Sequence, residues 1–156
     1  PQLPDLCALA DAFPDVPFVV NHCGGPLGVG RYAGPETFVH WRRLMADVAR
    51  RSNTWVKLGG LSRRRCGFAF EDRPTPPTAR ELADTWQPYV ETCIEQFGPA
   101  RCLYESNFPP DSVAGSYRTL WNALKLTASS YTADEREQLF AGTARRLYRI
   151  LERAPA

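Results

Sequence analysis

Apolar residues recur along the chain in two periods. Leu6, Leu9, Ala10 and Phe13 fall at helical spacing and run into Pro14, which predicts a helix that stops at the residue before the proline. Residues 16–20, Val-Pro-Phe-Val-Val, are a short apolar run leading into Asn-His-Cys-Gly-Gly-Pro at 21–26, the pattern of a buried strand opening into a glycine-rich loop. Phe38, Trp41, Leu44, Met45 and Val48 mark an amphipathic helix over 36–51. Thr-Trp-Val-Lys-Leu at 54–58, closed by Gly59 and Gly60, predicts a second strand. The irregular stretch from there to about residue 77 is longer than most connections, as functional or mobile loops often are. A second long helix is expected over 78–97, separated by Gly98 and Pro99 from a third strand at 101–106. Helices follow at 116–128, 132–141 and 143–151, and Thr132 with Glu135 offers a capping box for the second of these.

Short apolar strands separated by helices long enough to cross over imply a parallel α/β sheet with right-handed connections, either a barrel or an open doubly wound sheet. In both, ligands gather at the C-terminal ends of the strands. The segment His-Cys-Gly-Gly-Pro-Leu-Gly-Val-Gly at 22–30 does not space its glycines as a dinucleotide fingerprint requires.

Composition narrows the picture. At 156 residues and 44% hydrophobic the chain can build one core, so residues 1–156 are taken as one domain. Nineteen basic and 17 acidic residues, scattered along the chain, leave a net charge of +2. The run Arg63-Arg64-Arg65 has no interleaved aromatics and reads as a solvated loop, so no nucleic-acid partner is expected. Five cysteines without a C-x-x-C pair argue against a disulfide framework or a structural zinc site, and fit reduced thiols in the cytoplasm. No apolar run approaches 18 residues, so no membrane association is expected.

Chemistry concentrates at the strand ends. His22 closes the first strand, and the glycines after it allow a ligand or loop to approach closely; the alternative is a hydrogen-bonded histidine under a loop. His40, beside Trp41, reads as an ordinary helix-surface residue. Alternation would put His22 on one face with Phe18 and Val20, Lys57 with Trp55, and Glu105 with Leu103 and Asn107. Lys57 and Glu105 are then expected to meet in the interior, as a sheet-ordering ion pair or as a substrate-binding cation beside a proton-handling acid.

Four blocks resemble a known family. Residues 13–34, 53–62, 101–111 and 139–150 are similar to the C-terminal part of the amidohydrolase-related proteins, TIM-barrel and often metal-dependent enzymes that include lactonases and decarboxylases. The resemblance implies that the chain is the C-terminal portion, strands six to eight with their helices, of a (β/α)8 TIM barrel, which needs about 250 residues in full. The family's sixth-strand histidine would fall on His22, and its eighth-strand aspartate on Asn107. The first- and fifth-strand metal histidines have no counterpart. An Asn amide is no base and only a weak ligand, so the proton role is expected to pass to Glu105, with Asp111 as runner-up.

The function this resemblance implies is that of a hydrolase acting on a small carboxylated or lactone-like substrate, with decarboxylation by the same site or a catalytically inactive barrel fragment as alternatives. His22 would polarise substrate or hold water, Lys57 or Arg31 would bind an anionic group, and Asn107 would orient by hydrogen bonds. A divalent metal, zinc or manganese, is implied for a full-length parent and none is assured for this chain. Self-association, or a partner supplying the missing barrel strands, is expected of an open sheet edge.

Overall fold

The computed structural model describes residues 2–150. Its order is α1 (Leu3–Ala12), β1 (Phe18–Val20), α2 (Pro35–Ala49), β2 (Thr54–Leu58), α3 (Ala79–Phe97), β3 (Cys102–Tyr104), α4 (Tyr117–Thr127), α5 (Ala133–Glu137) and α6 (Thr143–Tyr148). The three strands form one parallel sheet in the order β1-β2-β3. This is the α/β arrangement that the alternation of strands and helices predicts.

Register fixes the two faces of the sheet. Val20 pairs with Val56 and Val56 with Cys102, while Leu58 pairs with Tyr104. These residues share one face and join the core with Trp41, Met45 and Val48 of α2 and Leu82, Val90 and Cys93 of α3. The opposite face carries Val19, Trp55 and Lys57, all partly buried, and Leu103, which is buried.

The N-terminal end of the sheet is closed by side chains that satisfy backbone carbonyls. Arg101 donates to the carbonyls of Ala49, Arg51 and Thr54 at 2.9, 2.8 and 3.3 Å, and its Nε donates to that of Phe97. Asn53 Nδ2 reaches the carbonyls of Ala10, Phe13 and Val16, each at 3.1 Å, which anchors the turn from α1 into β1. Groups left open at helix ends are costly when buried, so these two side chains hold the elements in place at the end remote from the strand tips.

Several boundaries differ from the expectation. β1 starts at Phe18 rather than residue 16, because Val16 N–H bonds back to the Phe13 carbonyl and Pro17 has no N–H to donate. β3 ends at Tyr104; only one further ladder bond forms, from Glu105 N–H to the Leu58 carbonyl at 3.1 Å, before Asn107 turns left-handed at φ +44°. The last two expected helices join through a π-helical turn over Gln138–Gly142, which leaves no break between them. Residue 151, the expected end of the last helix, lies outside the described residues. The expected capping box on Thr132 is present, and Thr78 forms a second one at the start of α3.

All five cysteines are free, four of them buried. Among the described residues no helix is long and apolar enough to cross a membrane. Truncating Leu82, which is fully buried on α3 far in sequence from the strand tips, should lower the unfolding free energy by about 3 kcal/mol as Leu82→Ala in chemical denaturation. A loss below about 1 kcal/mol would show that this side chain does not belong to the common core.

Candidate active site

Three strand ends converge on one carboxylate. Glu105, one residue past β3, accepts a hydrogen bond from the backbone N–H of His22 at 3.1 Å and meets His22 Nδ1 through the same Oε1. Its other oxygen, Oε2, lies 3.9 Å from the Lys57 ammonium on β2. The side chains of His22, Lys57 and Glu105 are 24%, 28% and 16% exposed, so the group is open to a ligand without being fully solvated. The expected meeting of Lys57 and Glu105 therefore occurs, and His22 joins it.

His22 does not arrive there by strand alternation. Alternation groups it with Val20, whose side chain lies in the helix-covered core. The chain leaves β geometry after Val20: His22 and Cys23 take φ of +58° and +49°, and the expected continuation of the strand face ends there. Cys23 then points into the core, and its carbonyl accepts the Trp41 indole N–H at 2.9 Å. That bond ties the turn to α2 while the imidazole swings toward Glu105. Two glycines at the end of β2 make room. A Cβ on Gly59 would overlap the Glu105 carbonyl, and one on Gly60 would overlap the His22 ring.

Asn107 stands two residues beyond Glu105 but turns to a different partner. Its Nδ2 donates to Asp111 Oδ1 at 2.7 Å, and Asp111 N–H returns a bond to the Asn107 carbonyl at 3.0 Å. Asp111 is only 2% exposed and also accepts from the Ser62 N–H at 3.5 Å. Burial raises its carboxyl above the usual range; the bonds from Asn107 and Ser62 and the nearby His22 work in the opposite direction.

Arg31 is not part of this group. It is exposed, lies over the ring of its neighbour Tyr32 at 5.0 Å and donates to that hydroxyl at 2.8 Å. The arginine beside the site is Arg65, which with Asn21, His22, Gly25, Leu27 and Leu3 lines a cleft of about 450 Å³ on the α1 side of His22. His22 lines this cleft, whereas Lys57 and Glu105 do not. Arg65 carries no distinguishing signal within its run of three arginines. Its neighbour Arg64 pairs with Glu71 and Asp72, as a solvated loop residue would. His40 is exposed on α2.

Among the described residues, no three His, Cys, Asp or Glu side chains stand close enough together to hold a metal ion. His22 already commits Nδ1 to Glu105, and Asn107 brings an amide in place of a charge. A divalent ion at this rim would need donors from elsewhere.

Comparison with known proteins bears on the family and the fold. The family model described as Amidohydrolase matches residues 1–150. The uncharacterized protein y4mH of Sinorhizobium fredii is 32% identical over 149 residues, which cover 96% of this chain and 44% of that protein. An L-fucono-1,5-lactonase of Burkholderia multivorans is 29% identical over 159 residues, covering 99% of this chain and 50% of the enzyme. A solved amidohydrolase from Burkholderia multivorans superposes with a TM-score of 0.82 in a crystal form with HEPES bound and 0.80 in one with zinc bound. In both it is 25% identical, with 96% of this chain and 50% of that chain covered. The chain thus spans about half the length of the relatives it matches.

The buried Asp111 makes stability depend on pH in a definite direction. Its folded-state pKa is raised, so its contribution to stability is fully present below the ordinary aspartate range near 4 and is lost as pH rises through the raised value. Asp111→Asn removes that titration. The unfolding free energy of the variant minus that of the wild type should therefore increase as pH is raised from about 3 to 7 in denaturant titrations; a difference that falls over this range would contradict the assignment.

Proposed function

This chain belongs to the amidohydrolase family, and from that premise we propose that it carries the proton-handling rim of a hydrolase acting on a small carboxylated or lactone-like substrate. The observation that carries the reading is the bond between His22 and Glu105 with Lys57 alongside, at the C-terminal ends of parallel strands. The names of the L-fucono-1,5-lactonase relatives point to the same substrate class. We further infer that β1, β2 and β3 correspond to the sixth, seventh and eighth strands of a (β/α)8 barrel. In such a barrel the face carrying Val19, Trp55, Lys57 and Leu103 would meet the remaining strands, supplied by the rest of the protein or by a partner.

The chemistry rests on the hydrogen bonds. A carboxylate can only accept, so Glu105 selects the imidazole tautomer with its proton on Nδ1 and leaves Nε2 free as an acceptor. Nε2 can take a proton from a water molecule as that water adds to the substrate carbonyl. Glu105 stabilises the imidazolium that forms, and the proton can then pass to the leaving ring oxygen. Lys57, 3.9 Å from Glu105 Oε2, places a cation where a substrate carboxylate or developing oxyanion would sit. A base arranged to deprotonate water serves hydrolysis rather than loss of carbon dioxide.

Family members are typically metal-dependent, and a neighbour was solved with zinc. When bound, such an ion supplies Lewis acidity. Among the described residues the donors do not complete a site for one, so the part of the residues described is to orient, bind and move protons.

Glu105→Gln in the protein expressed from its complete coding sequence should lower kcat for a 1,5-lactone by roughly 100-fold, and His22→Ala by at least as much, with smaller changes in KM. Full activity in both variants would sink this assignment of roles.

A further inference from the structure

The proton path through His22 and Glu105 leaves Asp111 unused, although it is among the most buried acids of the chain. It is 2% exposed and forms no ion pair with any described residue. Its two oxygens divide the work: Oδ1 accepts from Asn107 Nδ2 at 2.7 Å, and Oδ2 faces the Ser62 N–H at 3.5 Å. The Ser62 hydroxyl beside it is buried and, apart from its contact with Asp111, has no hydrogen-bond partner among the described residues. Asn107 is held at both ends, since its backbone carbonyl accepts from Asp111 N–H at 3.0 Å while its backbone sits at φ +44°, a region that Asn tolerates better than most residues.

An amide has one donor side and one acceptor side, and a carboxylate offers only acceptors. Asp111 therefore takes the NH2 of Asn107. Even with a proton on Oδ2, Oδ1 would still accept, so the orientation does not depend on the charge state. The Asn107 carbonyl oxygen is left on the far side of the amide, with no protein partner among the described residues.

We propose that Asp111 is a positioning residue that locks the Asn107 amide with its oxygen toward the ligand, so that the subsite at the end of β3 accepts hydrogen bonds and favours a hydroxyl-bearing substrate. The substrate class rests on the lactone-hydrolase reading; the amide orientation stands on the geometry alone. A subsite of this polarity receives a hydroxyl or a water proton and repels a carboxylate oxygen. The anionic part of a substrate is then directed to Lys57, on the neighbouring strand. The site thereby distinguishes the two ends of a hydroxylated acid derivative.

Hydrogen-bond counting makes the lock testable by exchange of the two residues. In Asp111→Asn, a single amide oxygen must serve both Asn107 and Ser62, and whichever donor loses meets an NH2 instead. Asn107 then has no fixed orientation. In the double variant Asn107→Asp with Asp111→Asn, the new amide donates to the carboxylate at 107 and accepts from Ser62. Every bond is restored, with an acceptor still facing the ligand.

The probes are L-fucono-1,5-lactone and δ-valerolactone, which has the same six-membered lactone ring without hydroxyl groups, assayed with the protein expressed from its complete coding sequence. The ratio of kcat/KM for the two lactones should fall by roughly tenfold in Asp111→Asn, the worth of one neutral hydrogen bond, and recover in the double variant. Intrinsic reactivity cancels because only changes in the ratio are read. A ratio unchanged in Asp111→Asn, whatever happens to thermal stability, would overturn the inference and reduce Asp111 to a structural role. If the wild type hydrolyses neither lactone, the functional reading fails and the side-chain amide signal of Asn107 decides the orientation. One set of NH2 resonances, protected from exchange in the wild type and averaged or doubled in Asp111→Asn, supports the lock. Exchange as fast as that of a solvent-exposed Asn overturns it.

Discussion

The contact between Glu105 and His22 organises the rim of this molecule. Oε1 holds both the imidazole and the backbone N–H of His22, so the carboxylate fixes the side chain and the turn that presents it. Oε2 brings in Lys57 from the strand between them. A charge this far removed from water is costly unless it is paired and hydrogen-bonded, and here one acid satisfies that need with groups from all three strand ends. The glycines at the end of β2 answer the same requirement, because side chains there would occupy the space of Glu105 and His22.

The two ends of the sheet divide their duties. At the N-terminal end, Arg101 and Asn53 commit their donors to backbone carbonyls of helix ends and turns, a use that builds stability and leaves nothing for a ligand. At the C-terminal end, donors and acceptors are aimed at one another across loops: His22 to Glu105, Asn107 to Asp111, Ser62 to Asp111. The burial of Asp111 raises its pKa, which is a cost to the fold at neutral pH. Such costs collect where function needs a fixed polar group.

Much of this is legible in the sequence, for physical reasons that also explain the misses. The helices and β2 are visible because periods of 3.6 and 2 are written in residues that must reach the core, and Lys57 and Glu105 pair because a charge on a short apolar strand needs a partner. His22 is recognisable as a strand-end residue, but alternation puts it on the wrong face. Alternation holds only while the backbone stays extended, and a left-handed turn at a non-glycine residue leaves no mark in composition. β3 looks longer than it is because Glu105 and Ser106 are compatible with a strand until Asn107 bends the chain. In the sequence Arg31 reads as an anion binder and Arg65 as part of a solvated run, and Arg65 reaches the cleft from a loop more than forty residues from His22, which no local pattern shows. The lock on Asn107 needs a carboxylate four residues later to fold back, which no local pattern specifies.

The chain matches about half the length of these relatives, and under the proposed function the rim built on Glu105 would be one part of a larger surface. Its own contribution turns on which imidazole nitrogen faces the ligand. The most direct measurement is the 15N spectrum of the His22 ring in its neutral form. The expected result is the proton on Nδ1, bonded to Glu105, with Nε2 showing the shift of an unprotonated nitrogen, and loss of this preference in Glu105→Gln. A neutral ring protonated on Nε2, unchanged by Glu105→Gln, would contradict it.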